Sequence, residues 1–159
     1  MPATPAPAIA WHAFDALNAR TLHDLLKLRS DVFVTEQACP FSEIDGRDPE
    51  AIHGVARLDG VLVATARLLE TGDGEVKIGR VVTHPDCRGR GVGAALMRDA
   101  LTEIARRWEP AQPVLVSAQT RVQDFYAGLG FAVTSGVYEE DGIPHVAMRR
   151  RAERAAGGA

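Results

Sequence analysis

Cysteine is scarce: only Cys39 and Cys87 occur among the 159 residues, without the paired spacing of a zinc site or a redox motif. Both therefore read as free thiols, and a disulfide-stapled or metal-stapled scaffold is excluded. No apolar run approaches the roughly 20 residues that span a bilayer, so no membrane association is expected. Residues 1–8, rich in Ala and Pro, lack the basic start and apolar segment of a secretory signal, and the expected location is cytoplasmic. Neither sign of charge dominates, and a formal net charge of −3 argues against a dedicated nucleic-acid binder. The one basic run, Arg149-Arg150-Arg151, reads as a solvated, frayed end.

What remains is an ordinary globular composition, 46% hydrophobic and 25% charged, with no internal repeat. It predicts a single domain over residues 9–150, between a flexible leader (1–8) and a flexible tail (151–159). Ile9 to Phe14 suits a strand. Leu22, Leu25, Leu26, Arg29 and Phe33 then recur at helical spacing, with Thr21 and Asp24 placed as a capping pair. Gln37 to Glu50 lacks periodicity and predicts a long loop or broken helix. Two extended runs, Gly54 to Leu58 and Val61 to Leu69, flank Asp59-Gly60, the signature of a two-residue hairpin. After the turn at Thr71 to Gly74, Val76 to Val82 supplies a third antiparallel strand.

Beyond Gly91, the positions Val92, Leu96, Ala100, Leu101, Ile104 and Trp108 describe a helix face, stopped by Pro110 and Pro113. Val114 to Ala118 reads as a buried strand. Val122, Phe125, Tyr126 and Leu129 read as a short helix closed by Gly130, with extended structure from Phe131 to Val133 and from His145 to Met148. The order demands an α/β (α+β type) fold: a mixed, mostly antiparallel sheet of six to seven strands, flanked by helices on both faces.

The chemistry concentrates at Arg88-Gly89-Arg90-Gly91-Val92-Gly93, between a strand and a helix. A helix start exposes unpaired N–H groups and partial positive charge, and glycines let phosphate oxygens approach the main chain. A dinucleotide fingerprint also fits Gly89-x-Gly91-x-x-Ala94, but it needs an acidic residue at the end of the next strand, where Gln119 stands. The lysine of a Walker loop is missing as well.

Arg88-x-x-Gly91-x-Gly93, preceded by Val81-Val82-Thr83-His84-Pro85, resembles the acetyl-CoA signature of the GNAT acyltransferase superfamily. The resemblance implies that Val81, Val82 and Thr83 pair with the peptide-like pantetheine arm while Arg88, Gly89, Arg90, Gly91, Val92 and Gly93 hold the pyrophosphate. Phe125-Tyr126-Ala127-Gly128-Leu129-Gly130-Phe131 resembles the second family signature. It implies that Tyr126 touches the cofactor and protonates the departing thiolate, and that Gln119 faces the pantetheine. Phe125 is expected in the core.

Leu28 to Gln37, Cys39-Pro40-Phe41, Ile78 to Val81, Ser117-Ala118-Gln119 and Val137 to His145 are similar to the ElaA group of that superfamily, over roughly residues 12 to 149. The implied reaction is direct transfer of an acetyl group from acetyl-CoA, a cosubstrate, to a small-molecule or peptide amine, without metal, with an oxyanion held by a backbone N–H near Val82. An alkylammonium is only about one part in 10³ neutral at pH 7, so a base is needed. Many relatives carry a glutamate in the strand where this chain has Lys77 and Arg80. Glu36 and His145 are the leading candidates, ahead of Glu139 and Glu140. Arg29, Arg67 and Arg80 are candidate anchors for an acidic acceptor. Cys87 lacks a histidine partner with an orienting group and is not read as a nucleophile. Alternatives are a non-catalytic acyl-CoA sensor and a homoserine-lactone-synthase-like acyltransferase. A homodimer is an open alternative to a monomer.

Overall fold

Asp59 and Gly60 turn the chain with φ of +50° and +79°, the left-handed pair that a tight hairpin requires. Around this turn a computed structural model describes residues 5–108 and 112–151. Strands β1 (Ala8–Ala13), β2 (Ile52–Leu58), β3 (Val61–Glu70) and β4 (Val76–Thr83) form an antiparallel meander. Strand β5 (Pro113–Gln119) pairs parallel with β4 and antiparallel with β8 (Ile143–Arg151). Two short strands, β6 (Ala132–Val133) and β7 (Tyr138–Glu140), complete the sheet on β8. The order is β1-β2-β3-β4-β5-β8-β6, with β7 also on β8, eight strands among the described residues. The strand beyond the expected six to seven is β7, too short for its alternation to register in sequence.

Helix α1 (Ala19–Arg29) is capped by Asn18, whose side-chain oxygen accepts from the Thr21 N–H at 2.8 Å. The cap thus lies three residues before the expected Thr21, which instead occupies the third helical position. The chain continues in wide π-helical turns over Ser30–Glu36, with Gln37 N–H donating to Val32 O at 3.1 Å. Helix α2 (Val92–Arg107) buries Leu96, Ala100 and Ile104 completely, as the helical spacing predicted, and Met97 with them. Each large side chain so buried contributes about 1.5–3 kcal/mol. Helix α3 (Gln123–Ala127) follows β5. A second, smaller apolar cluster joins Leu28 and Val32 to Val82 of β4.

The expected leader and tail fall largely outside the described residues, as does Pro110. Ala8 already opens β1 and Arg151 closes β8. Arg149 to Arg151 are therefore a strand and not a frayed end: Arg149 donates to Glu75 at 2.7 Å, and Arg150 donates through Nη1 to the Leu129 carbonyl.

Two irregularities in β4 shape the functional region. Arg80 takes φ of +50°, and the register slips there by one residue, Arg67 facing Gly79 but Thr65 facing Val82. Such a bulge bends the strand. The parallel ladder to β5 covers only Val76–Val114 and Lys77–Leu115, after which the two strands part.

Candidate active site

The parting of β4 and β5 opens a cleft of ≈ 870 Å³, lined by the end of β4, the turn into α2, Tyr126 and the β7–β8 turn. His84 N–H donates to Val63 O at 2.7 Å. Antiparallel alternation then directs the Val82 backbone to β3 and turns the polar groups of Val81 and Thr83 toward the gap. Val82 contributes a buried side chain instead.

At one end lies the glycine loop. Gly91 caps α2 with φ of +80° and Gly89 has φ of +76°, and no heavy atom lies within 4 Å of where a Cβ would stand on either. Their main chain is thus approachable, and only glycine holds this conformation cheaply. Gly93 is tighter: a Cβ there would lie 3.2 Å from Thr83 Oγ1. The Val92 side chain is core, leaving its N–H for the cleft. Arg90 is exposed and lies outside the cleft lining. Arg88 lines the cleft and forms a two-pronged pair with Glu36, Nη1–Oε1 2.6 Å and Nη2–Oε2 2.7 Å. Hydrogen bonding from Arg88 holds the Glu36 carboxyl below its ordinary range. The expected base is thereby paired with a guanidinium.

Tyr126 is buried in edge-to-face contact with Phe125 and Phe131, and it lines the cleft. Burial pushes its phenol up to about 12. Phe125, expected in the core, is 39% exposed and forms cleft wall. Gln119 also lines the cleft, its amide donating to Gln37 at 3.3 Å and its carbonyl accepting from Arg121 at 2.8 Å.

The opposite wall gathers polar groups that are distant in sequence. His145 is 6% exposed. Its Nδ1 lies 2.7 Å from Ile143 O. A carbonyl only accepts, so Nδ1 carries the hydrogen and Nε2 is the ring atom left to exchange a proton. That atom lies 3.4 Å from Glu140 Oε2. Ser117 Oγ is hydrogen-bonded to the Tyr138 hydroxyl and lies 3.4 Å from both Glu140 oxygens, while Tyr138 stacks on His145 with ring centroids 6.2 Å apart. Sequence reasoning found His145 and Glu140 but not Ser117 or Tyr138, which the β5–β8–β7 pairing brings together.

The arginines expected to anchor an acidic acceptor are committed elsewhere. Arg29 holds Glu43 at 2.6 Å and Asp48 at 2.8 Å; Arg67 holds Asp45 at 2.5 Å and Asp48 at 3.0 Å; Arg80 holds Glu43 at 2.9 Å. The alternating acids Glu43, Asp45 and Asp48 in the long loop were the overlooked signal. Together these pairs fasten the loop to β3 and β4, against the cleft. Cys39 donates to the Asp141 carbonyl at 3.3 Å, and Cys87 is buried. Among the described residues no group of His, Cys, Asp and Glu is placed to hold a metal ion, and no helix is long and apolar enough to cross a membrane.

Residues 30–152 match the family described as acetyltransferase (GNAT) domain. The chain is 43% identical to protein ElaA of Escherichia coli over 138 residues, 84% of this chain and 90% of that protein. The crystal structure of E. coli ElaA superposes with a TM-score of 0.85 at 39% identity, covering 91% of this chain and 99% of that one. An acyl-CoA N-acyltransferase from Pseudomonas aeruginosa superposes equally well, TM-score 0.85 at 42% identity and with the same coverage. The fold, the glycine loop and these likenesses agree on an acyl-CoA-binding acyltransferase, and the chain belongs to the GNAT acetyltransferase superfamily, within its ElaA-like group.

Proposed function

We propose that the protein transfers an acetyl group from acetyl-CoA to the amine of a small molecule or peptide by direct attack. The observation that carries this reading is the composition of one cleft: an anion-ready loop at one end, His145 with Nε2 beside the Glu140 carboxylate at the other, and Tyr126 lining the same space. The loop N–H groups and Arg88 receive the diphosphate. The pantetheine arm lies along Val81 and Thr83, whose backbone faces the gap, with Gln119 on the far side.

The acceptor enters as an ammonium and gives a proton to His145 Nε2, whose orientation is fixed through Nδ1. The neutral amine attacks the thioester carbon, and the oxyanion takes an N–H from the open side of β4, at Val81 or Thr83. When the C–S bond breaks, the electron pair leaves on sulfur and the attacking nitrogen gives up its second proton to solvent, leaving the amide. A phenol at about 12 is a weaker acid than an ordinary thiol at about 8.5, so full proton transfer from Tyr126 is uphill. Tyr126 therefore acts as a hydrogen-bond donor that stabilises the departing thiolate, and solvent completes the protonation.

Titration calorimetry with CoA tests the donor half, and thiol release from acetyl-CoA across a panel of amines tests the acceptor half. Stoichiometric binding and amine-dependent thiol release are expected. Binding without release from any amine would instead identify an acyl-CoA sensor, and absence of binding by folded protein would sink the reading.

A further inference from the structure

One guanidinium cannot hold two anions in the same fork. Both terminal nitrogens of Arg88 are committed to both oxygens of Glu36, at 2.6 and 2.7 Å. Arg88 stands immediately before the open main chain of Gly89 and Gly91, where a diphosphate would be held, so the carboxylate occupies the cation that the donor needs. Glu36 is delivered there by the wide turns after α1: the i to i−5 bonds of Gln37 to Val32 and of Cys39 to Val34, both 3.1 Å, carry the chain end across the cleft mouth. Wide turns of this kind recur at functional positions. Both side chains remain about half exposed, at 45% and 43%.

We propose that Glu36 is a placeholder for the donor's diphosphate, and that donor binding moves Arg88 from the Glu36 carboxylate to the phosphate oxygens. This rests on the acyl-CoA reading of the cleft. The exchange is favourable because an exposed ion pair contributes little. A diphosphate carries more charge than a carboxylate, and it also gains the N–H groups at the start of α2. The released carboxylate still lines the cleft and keeps Arg121 as the remaining cation acting on it, so its negative charge is less compensated than before. An acceptor ammonium therefore meets Glu36 neutralised before the donor arrives and available afterwards.

Calorimetry with CoA on wild type, Glu36→Gln, Arg88→Gln and the double variant tests the exchange. Removing the competitor tightens CoA binding by about fivefold in Glu36→Gln. Arg88→Gln weakens binding, and in that background the Glu36 substitution has no effect. Unchanged or weaker binding in Glu36→Gln overturns the proposal, as does the same tightening with Arg88 absent, which would mean simple repulsion. Wild-type protein gives a test independent of any variant: carbodiimide coupling of an amine to Glu36, read by mass spectrometry, rises when CoA saturates the protein, and no rise overturns the exchange. Failure of wild type to bind CoA would instead remove the donor reading on which the inference stands.

Discussion

Trp11 and Gly54 face each other across β1 and β2, and the indole lies so close over the glycine that a Cβ there would be 2.3 Å from Cζ3 and 2.5 Å from Cη2. The same indole donates to Asp99 of α2 at 2.7 Å. One missing methyl group thus lets an outer strand be tied to the helix that carries the glycine loop. Gly54→Ala is expected to cost about 1–3 kcal/mol by overpacking, measured as a lower melting temperature. Gly136→Ala, where nothing lies within 4 Å, is the matched control and changes little.

Tyr126→Phe keeps its packing against Phe125 and Phe131 and loses only the hydroxyl. CoA affinity is expected to stay constant while kcat falls about 10- to 100-fold, the worth of a hydrogen bond to a charged atom. With the phenol near 12, its protonated form is lost only as pH rises through that value. A rate profile to about pH 10 should therefore show no alkaline fall from this group, and one that vanishes in the Phe variant would contradict the assignment.

Gly91→Ala forces a side chain into φ of +80° at the cap of α2. A left-handed Ala costs about 1–2 kcal/mol, which shows as a lower melting temperature if the turn persists. If the turn relaxes instead, the N–H groups swing away and CoA binding weakens. Calorimetry and melting on one preparation must register one loss or the other.

Acid should unfold the protein in two stages. Burial holds the His53 imidazole below its ordinary value, so from about pH 6.5 downward the unfolded chain binds a proton that the folded one does not, and stability falls. Hydrogen bonds from Arg67 hold Asp45 well below the usual carboxylate range. At Asp48 burial opposes ionisation, but Arg29 and Arg67 outweigh it. These carboxylates stabilise the fold fully above about pH 4 and stop doing so as pH drops toward their folded values. Melting temperature against pH should decline gently below about 6.5 and steeply below about 4. His53→Gln should remove the first slope. Asp48→Ala, leaving two buried guanidiniums short of a partner, should cost about 3–5 kcal/mol at neutral pH.

Local features were legible where physics is local. Asp59-Gly60 announced its hairpin because only residues tolerant of positive φ fit it, and the α2 stripe from Val92 to Ile104 announced its buried face. The glycine loop was legible for the same reason. Thr21 was read as the cap that Asn18 supplies, because both residue types satisfy an exposed N–H, and the wide turns at Ser30–Glu36 share their apolar spacing with an ordinary helix. Pairings across long sequence distances were out of reach. Nothing in Glu36 or Arg88 taken singly marks them as partners, and Ser117 meets Tyr138 only because β8 lies between their strands. The acids Glu43, Asp45 and Asp48 looked like loop polarity until the sheet supplied arginines opposite them.

The separation of β4 from β5 after Lys77 and Leu115 leaves a seam in the sheet beside the cleft. A ligand laid into that seam completes the folded state as much as it occupies a site, and whatever binds only the folded form adds RT ln(1 + [L]/Kd) to its stability. At a donor level about 100 times Kd that is about 2.7 kcal/mol, a sizeable share of a typical domain's margin. The lifetime of the protein in a cell would then follow the supply of its cosubstrate, so that the metabolite governs how much protein persists as well as how fast it works.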